Sequence, residues 1–124
     1  MTTRRVVGWV AAILSSLMFL LAALMKFTAN PAEVAGFTLF GLPIWFMYLT
    51  GAMEVGGVVL LLLSPWRYAG AALLVIVGLG ATFEHLTHGQ YAMAPIPFVC
   101  AALAVLGASL LQAPHRTTTV AATE

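Results

Sequence analysis

PIWFMYLTGAMEVGGVVLLLLSP, residues 43–65, is an apolar run of membrane length with one acid, Glu54, near its middle. About 20 apolar residues cross a hydrocarbon core of about 30 Å as a helix, so this run reads as a transmembrane span. The acid is the informative residue. A carboxylate at the bilayer centre costs roughly 3 kcal/mol on insertion scales, and such groups face a partner, a cavity or a proton-handling function. Other helices must therefore cover Glu54. Trp45, Phe46 and Tyr48 open the span with the aromatic signature of a membrane boundary. Met47, Gly51, Glu54, Val58 and Leu61 fall on one heptad-like stripe. Gly51, Gly56 and Gly57 remove side chains beside the acid, which lets neighbouring backbones crowd around it.

Composition agrees with a membrane setting. Of 124 residues, 62% are hydrophobic and 7% charged, with a mean hydropathy of +1.03; soluble domains carry about a quarter charged residues. Four spans with short loops nearly use up the length, so one compact membrane domain over residues 1–112 is expected, followed by a flexible tail over 113–124. A formal net charge of +1 provides no basic field for nucleic acid. The single cysteine, Cys100, excludes an intrachain disulfide or a CxxC pair, and reads as a small buried residue of the fourth span.

Span one covers about Val6 to Phe27 and is expected to be retained rather than cleaved as a signal peptide, because the apolar run is too long and no small-residue cleavage site closes it. Ser15, Phe19, Ala22 and Lys26 share a face of this helix. Two readings of Lys26 stand: it snorkels to the headgroups, or it points inward. Asn30-Pro31 ends the helix. The connection PAEVAGFTLFGL, residues 31–42, is apolar apart from Glu33, and is expected to lie in the interface or fold over the mouth as a short lid, with Gly36, Gly41 and Pro43 supplying turns. Ser64 to Arg67 reads as a tight turn with a cation at its edge. Span three follows over about Tyr68 to His88, and carries Glu84, His85 and His88 on one polar face before Gly89 stops it. Span four, about Ala94 to Leu111, has no charge and reads as scaffold or lipid-facing.

Arginine placement sets the expected topology. With the amino terminus cytoplasmic, Arg4, Arg5, Arg67 and Arg116 share that side, while the opposite loops hold neither Lys nor Arg; the positive-inside rule then puts both termini in the cytoplasm. The expected fold is all-α: an integral membrane four-helix bundle, up-down-up-down. Lys26, Glu84 and His85 end their helices towards the outer side, with Glu54 about 15 Å along its helix from Ile44 at a 1.5 Å rise per residue. Together they outline an outward-opening funnel.

Burial and opposite charges shift protonation equilibria in such a set. The candidate catalytic residues are Glu54, His85 and Glu84, and the candidate binding residues are Lys26, Glu54, Tyr48, His85 and His88. They suit proton transfer on a lipophilic molecule, or binding of the polar head of a quinone, terpenoid or sterol. An ion pair of Glu54 with Lys26 that only sets helix register remains open beside these. Glu84, His85 and His88 lack a further converging ligand, so no metal site is expected, and two histidines three apart on one helix suit a transmembrane haem poorly.

Lys26 closing span one, Gly41 to Pro43, the G-x-x-E-x-x-G run of Gly51, Glu54 and Gly57, and Ala81, His85, Leu86 and Gly89 occur in an order that resembles the DoxX-like membrane proteins. The resemblance covers nearly all of the four-span region. The name of that family comes from a small membrane subunit linked to quinone-dependent oxidation of sulfur compounds. The resemblance therefore implies a redox-associated subunit that binds quinone or anchors a soluble oxidoreductase, with Glu54 and His85 as proton or quinone-head ligands and the electrons coming from the partner. The alternatives are a small membrane enzyme doing acid/base chemistry on a lipophilic substrate, a proton-coupled small transporter, and a structural or assembly protein. Expected partners are the lipid bilayer, a lipophilic ligand, and an oxidoreductase or further copies of the chain. The expected location is a bacterial-type inner (plasma) membrane, crossed several times.

Overall fold

The computed structural model describes residues 2–112; the tail expected over 113–124, Arg116 included, lies outside the described residues. Among them the chain forms five helices and no strand: α1 (Thr3–Phe27), α2 (Pro31–Leu39), α3 (Ile44–Leu62), α4 (Arg67–Thr87) and α5 (Pro95–Leu111). The helices α1, α3 and α4 are each long and apolar enough to cross a membrane, whereas α5 is apolar but has 17 residues. Around the fold the neighbours run α1, α5, α4, α3 and back to α1, and α2 rests more lightly on α3 and α1.

Burial follows the stripes expected from sequence spacing. On α3, Met47, Gly51, Glu54, Val58 and Leu61 are all buried, and on α1 so are Ser15, Phe19 and Lys26. Most large apolar side chains instead face outward, Leu17, Leu21, Ile76 and Val105 among them. That arrangement is inside-out for water and natural for lipid. Small residues form the seams. Gly107 of α5 backs onto α1 so closely that a Cβ there would come 2.9 Å from both the backbone nitrogen and the Cβ of Ala12. Cys100, Ala101, Ala104 and Ala108 continue the same face, so the fourth apolar segment is a packed helix and not simply a lipid-facing one. Ser15 Oγ donates to the Cys100 carbonyl at 2.9 Å, tying α1 to α5 at a buried point.

One local expectation is corrected. Residues 31–39 form a helix and not an irregular connector: Asn30 accepts from the Ala32 N–H at 3.0 Å, Pro31 occupies the first turn and Glu33 follows. The same Asn-Pro pair that stops one helix is a good start for the next. Gly36 accordingly sits inside α2 and makes no turn, while Gly41, at φ 74°, does. Arg67, at the edge of the Ser64–Pro65 turn, has a further role. It begins α4 and is buried, donating to the Leu61 carbonyl at 3.1 Å with its guanidinium 5.0 Å from the Trp9 ring centroid. An arginine here meets the free carbonyls at the end of α3 and an aromatic face from α1, so it turns inward. Arg4, which is exposed, meets the end of α5, donating to the Ser109 and Leu110 carbonyls at 3.2 and 3.3 Å.

Candidate functional site

The site begins where α1 stops. Ala29 takes a left-handed conformation, φ 49°, and the Asn30 and Ala29 N–H groups donate to the Met25 and Lys26 carbonyls at 2.9 and 3.1 Å. This is the Schellman closure, in which glycine is the usual residue. It recurs at Gly41 after α2, where Leu42 donates to Phe37, and at Gly89 after α4, where Gln90 donates to His85. The three closures turn the chain sharply and let α2 lie beside Lys26.

Lys26, 8% exposed, places Nζ 2.9 Å from Oε1 of Glu54, which is 1% exposed. Gly51, one turn ahead of the acid, makes room: a Cβ there would already touch Lys26 Cβ at 3.4 Å. The sequence left open whether Lys26 snorkels or turns in, and the structure shows it turned in. Glu33 of α2 adds a second carboxylate 3.9 Å from the ammonium. Oε2 of Glu54 is buried and has no hydrogen-bond partner. An unpaired buried acceptor of this kind costs about 1–3 kcal/mol, and more when charged.

A second polar group stands at the end of α4. His85 Nδ1 lies 2.6 Å from Gln90 Oε1. An amide oxygen only accepts, so Nδ1 is the donor and Nε2 is the free ring nitrogen. His88 Nδ1 is 2.9 Å from the Glu84 carbonyl and 3.7 Å from Glu84 Oε2. Phe40, the residue closing α2, rests on both imidazoles, with centroids 5.7 Å from His85 and 4.7 Å from His88.

These groups surround a cavity of about 1030 Å³ whose walls are chiefly apolar. Lys26, Glu33, Glu54, Glu84, His85 and Gln90 line it, among Phe, Met and Ala side chains. Of the residues singled out from sequence, Lys26, Glu54, Glu84 and His85 thus come to one space. Tyr48 and His88 do not line it: Tyr48 is 39% exposed on the outer side of α3, and the His88 side chain is 31% exposed behind Phe40. Glu33, Gln90 and Phe40 were not on the list. Glu33 had a visible signal as the lone charge in an apolar connector, whereas Gln90 and Phe40 depend on how the closures aim the chain. Among the described residues no group of three His, Cys, Asp or Glu side chains is placed to hold a metal ion.

Because α2 buries no residue of its own, its seat depends on few contacts, Phe40 on the imidazoles among them. Phe40→Ala is therefore expected to loosen α2 and open the cavity. Cys100 is the natural reporter, being the single cysteine and a lining residue that is 7% exposed. Its alkylation by a membrane-permeant maleimide should accelerate several-fold in the variant. An unchanged rate would mean that Phe40 does not hold α2 in place.

A chain whose described residues form helices and no strand, three of the helices long and apolar enough to cross a membrane and two of them joined by a buried ion pair, is a multi-pass membrane protein. Within that class its sequence matches the DoxX-like family over residues 10–107, and the chain belongs to that family. No curated protein and no solved structure matches it.

Proposed function

We propose that the protein is a redox-associated membrane subunit that binds a quinone head beside Lys26 and Glu54, with the electrons coming from an oxidoreductase it anchors. The observation that carries this reading is the orphaned Glu54 Oε2, adjacent to a buried ammonium in an apolar cavity. A volume of about 1030 Å³ is at the upper end of small-molecule sites, enough for a ring and part of an isoprenoid tail. When bound, a quinone supplies two-electron, two-proton chemistry. The chain's part is to bind and to move protons. Lys26 Nζ has a donor to spare for a carbonyl oxygen, Glu54 can hold a proton at Oε2, and Glu33, Glu84 and His85 continue the titratable groups towards the rim.

The same reading makes residues 1–112 one membrane domain with α1, α3, α4 and α5 as four spans in up-down order. Arg4, Arg5 and Arg67 mark the cytoplasmic end, and the cavity opens to the outer side of a bacterial-type inner membrane. The contacts of Arg4 with the end of α5, and of Arg67 with the end of α3, support antiparallel neighbours.

Native mass spectrometry of gently extracted protein tests the ligand directly. A bound quinone is expected, or saturable binding of added decylubiquinone, and Glu54→Gln, which keeps the shape of the side chain, should weaken it about tenfold, or 1.4 kcal/mol. Tyr48→Phe, outside the cavity, should leave it unchanged. Absence of both retained and added quinone would sink the reading.

A further inference from the structure

We infer that the cavity selects lipophilic organic cations over anions of the same size and shape, a binding activity that goes beyond the quinone reading and does not require it. Three carboxylates from three different helices, Glu33, Glu54 and Glu84, line the space with one lysine, Lys26, a formal excess of two negative charges. That count already includes the lysine, whose ammonium lies 2.9 Å from Glu54 Oε1 and 3.9 Å from Glu33. Arg4, Arg5 and Arg67 are not lining residues.

A second observation concerns the hydrogen bonding of the deepest of these carboxylates. Glu54 is 1% exposed, lines the cavity, and has an oxygen that no donor in the chain meets. That oxygen is buried beside a cavity lined chiefly by apolar groups, where an unpaired acceptor is costly and a nearby positive charge is strongly attracted. Phe37, Phe40, Phe46 and Phe83 add aromatic rings to the lining, and ring faces attract cations.

The walls also say which cations fit. A compact, strongly hydrated ammonium would lose its water for few replacement hydrogen bonds. A cation whose charge is wrapped in aryl or alkyl groups has little hydration to lose and gains apolar contact over a large cavity. The methionines in the lining, Met18, Met25, Met53 and Met93, bend to accommodate varied shapes, as expected of a site that recognises charge and greasiness more than outline.

The test compares tetraphenylphosphonium with tetraphenylborate, which are alike in size and opposite in charge. Binding to the full chain in phosphatidylcholine nanodiscs is measured by equilibrium dialysis, with lipid-only discs subtracted. Saturable binding of the phosphonium is expected to be at least about tenfold tighter than that of the borate. The double variant Glu33→Gln/Glu84→Gln leaves the Lys26–Glu54 pair intact and should erase most of that preference; Glu84→Gln alone should reduce it. Equal or stronger borate binding, or a preference unmoved by the double variant, overturns the inference. Decylubiquinone in the same discs separates the two readings: quinone binding without charge preference overturns this inference alone, and phosphonium preference without quinone binding overturns only the quinone reading.

Discussion

Gly70→Ala is expected to abolish the folded protein, the largest effect foreseen for any glycine in the chain. At Gly70 α4 crosses α3 with no space between backbones: a Cβ would overlap the Leu61 nitrogen, sit 2.5 Å from the Gly57 carbonyl oxygen and 2.8 Å from the Leu60 carbonyl carbon. Overpacking costs about 1–3 kcal/mol when side chains can yield. Here main-chain atoms are in the way, so the two helices must part along their length, and the cost should exceed that range. Lipid offers no hydrophobic force to hold them once the close fit is lost, since acyl chains are as apolar as leucine. Size-exclusion chromatography of detergent-extracted protein reads the outcome as loss of the monodisperse peak. Gly56→Ala and Gly80→Ala, whose added methyl groups meet open space, should elute as the parent does. A folded Gly70→Ala protein would show that the α3–α4 crossing is looser than described.

Lys26→Met is expected to be the most destabilising change at the cavity. It leaves Glu54, 1% exposed, without its partner at 2.9 Å, and removing one member of a buried pair typically costs about 3–5 kcal/mol. Adding Glu54→Gln should recover most of the loss, because an uncharged amide no longer demands a counter-ion. The recovery, read as a double-mutant cycle from unfolding in increasing SDS, measures the coupling directly. Glu33→Gln provides the contrast. Its carboxylate is 3.9 Å from the ammonium and its side chain is 24% exposed, so its removal should cost less than about 1 kcal/mol. If the Lys26→Met protein were as stable as its parent, Glu54 would have some other source of stabilisation, and the site would have to be redrawn.

Cavity and fold differ in how far they can be read from the chain. The stripe of Met47, Gly51, Glu54, Val58 and Leu61 was visible because a helix in lipid shows its interior through what is unusual in an apolar run: an acid, and small residues beside it. Lys26 carried two meanings, since a lysine near the end of a span reaches either the headgroups or the interior. The choice was made by Gly51, which leaves space for the stem, and by Glu54, which waits one turn deeper. The burial of Arg67 carried no comparable sign in its own stretch of chain. Its neighbours in the chain, Trp66 and Tyr68, look like a membrane boundary, yet the groups that bury it are the Leu61 carbonyl and Trp9, the latter far away in sequence.

From the amino-acid order alone came the all-helical membrane class, the faces that turn inward and the acid that needs cover, because hydropathy and helical period are local properties that every segment carries by itself. Only the folded chain decided that the Asn30-Pro31 stop also begins α2, that Ala29 would adopt a glycine-like turn, and that Glu33, Glu54, Glu84 and His85 share one cavity with Lys26. Those outcomes depend on distances between segments, and a distance is set by how closely small residues on different helices allow their backbones to approach.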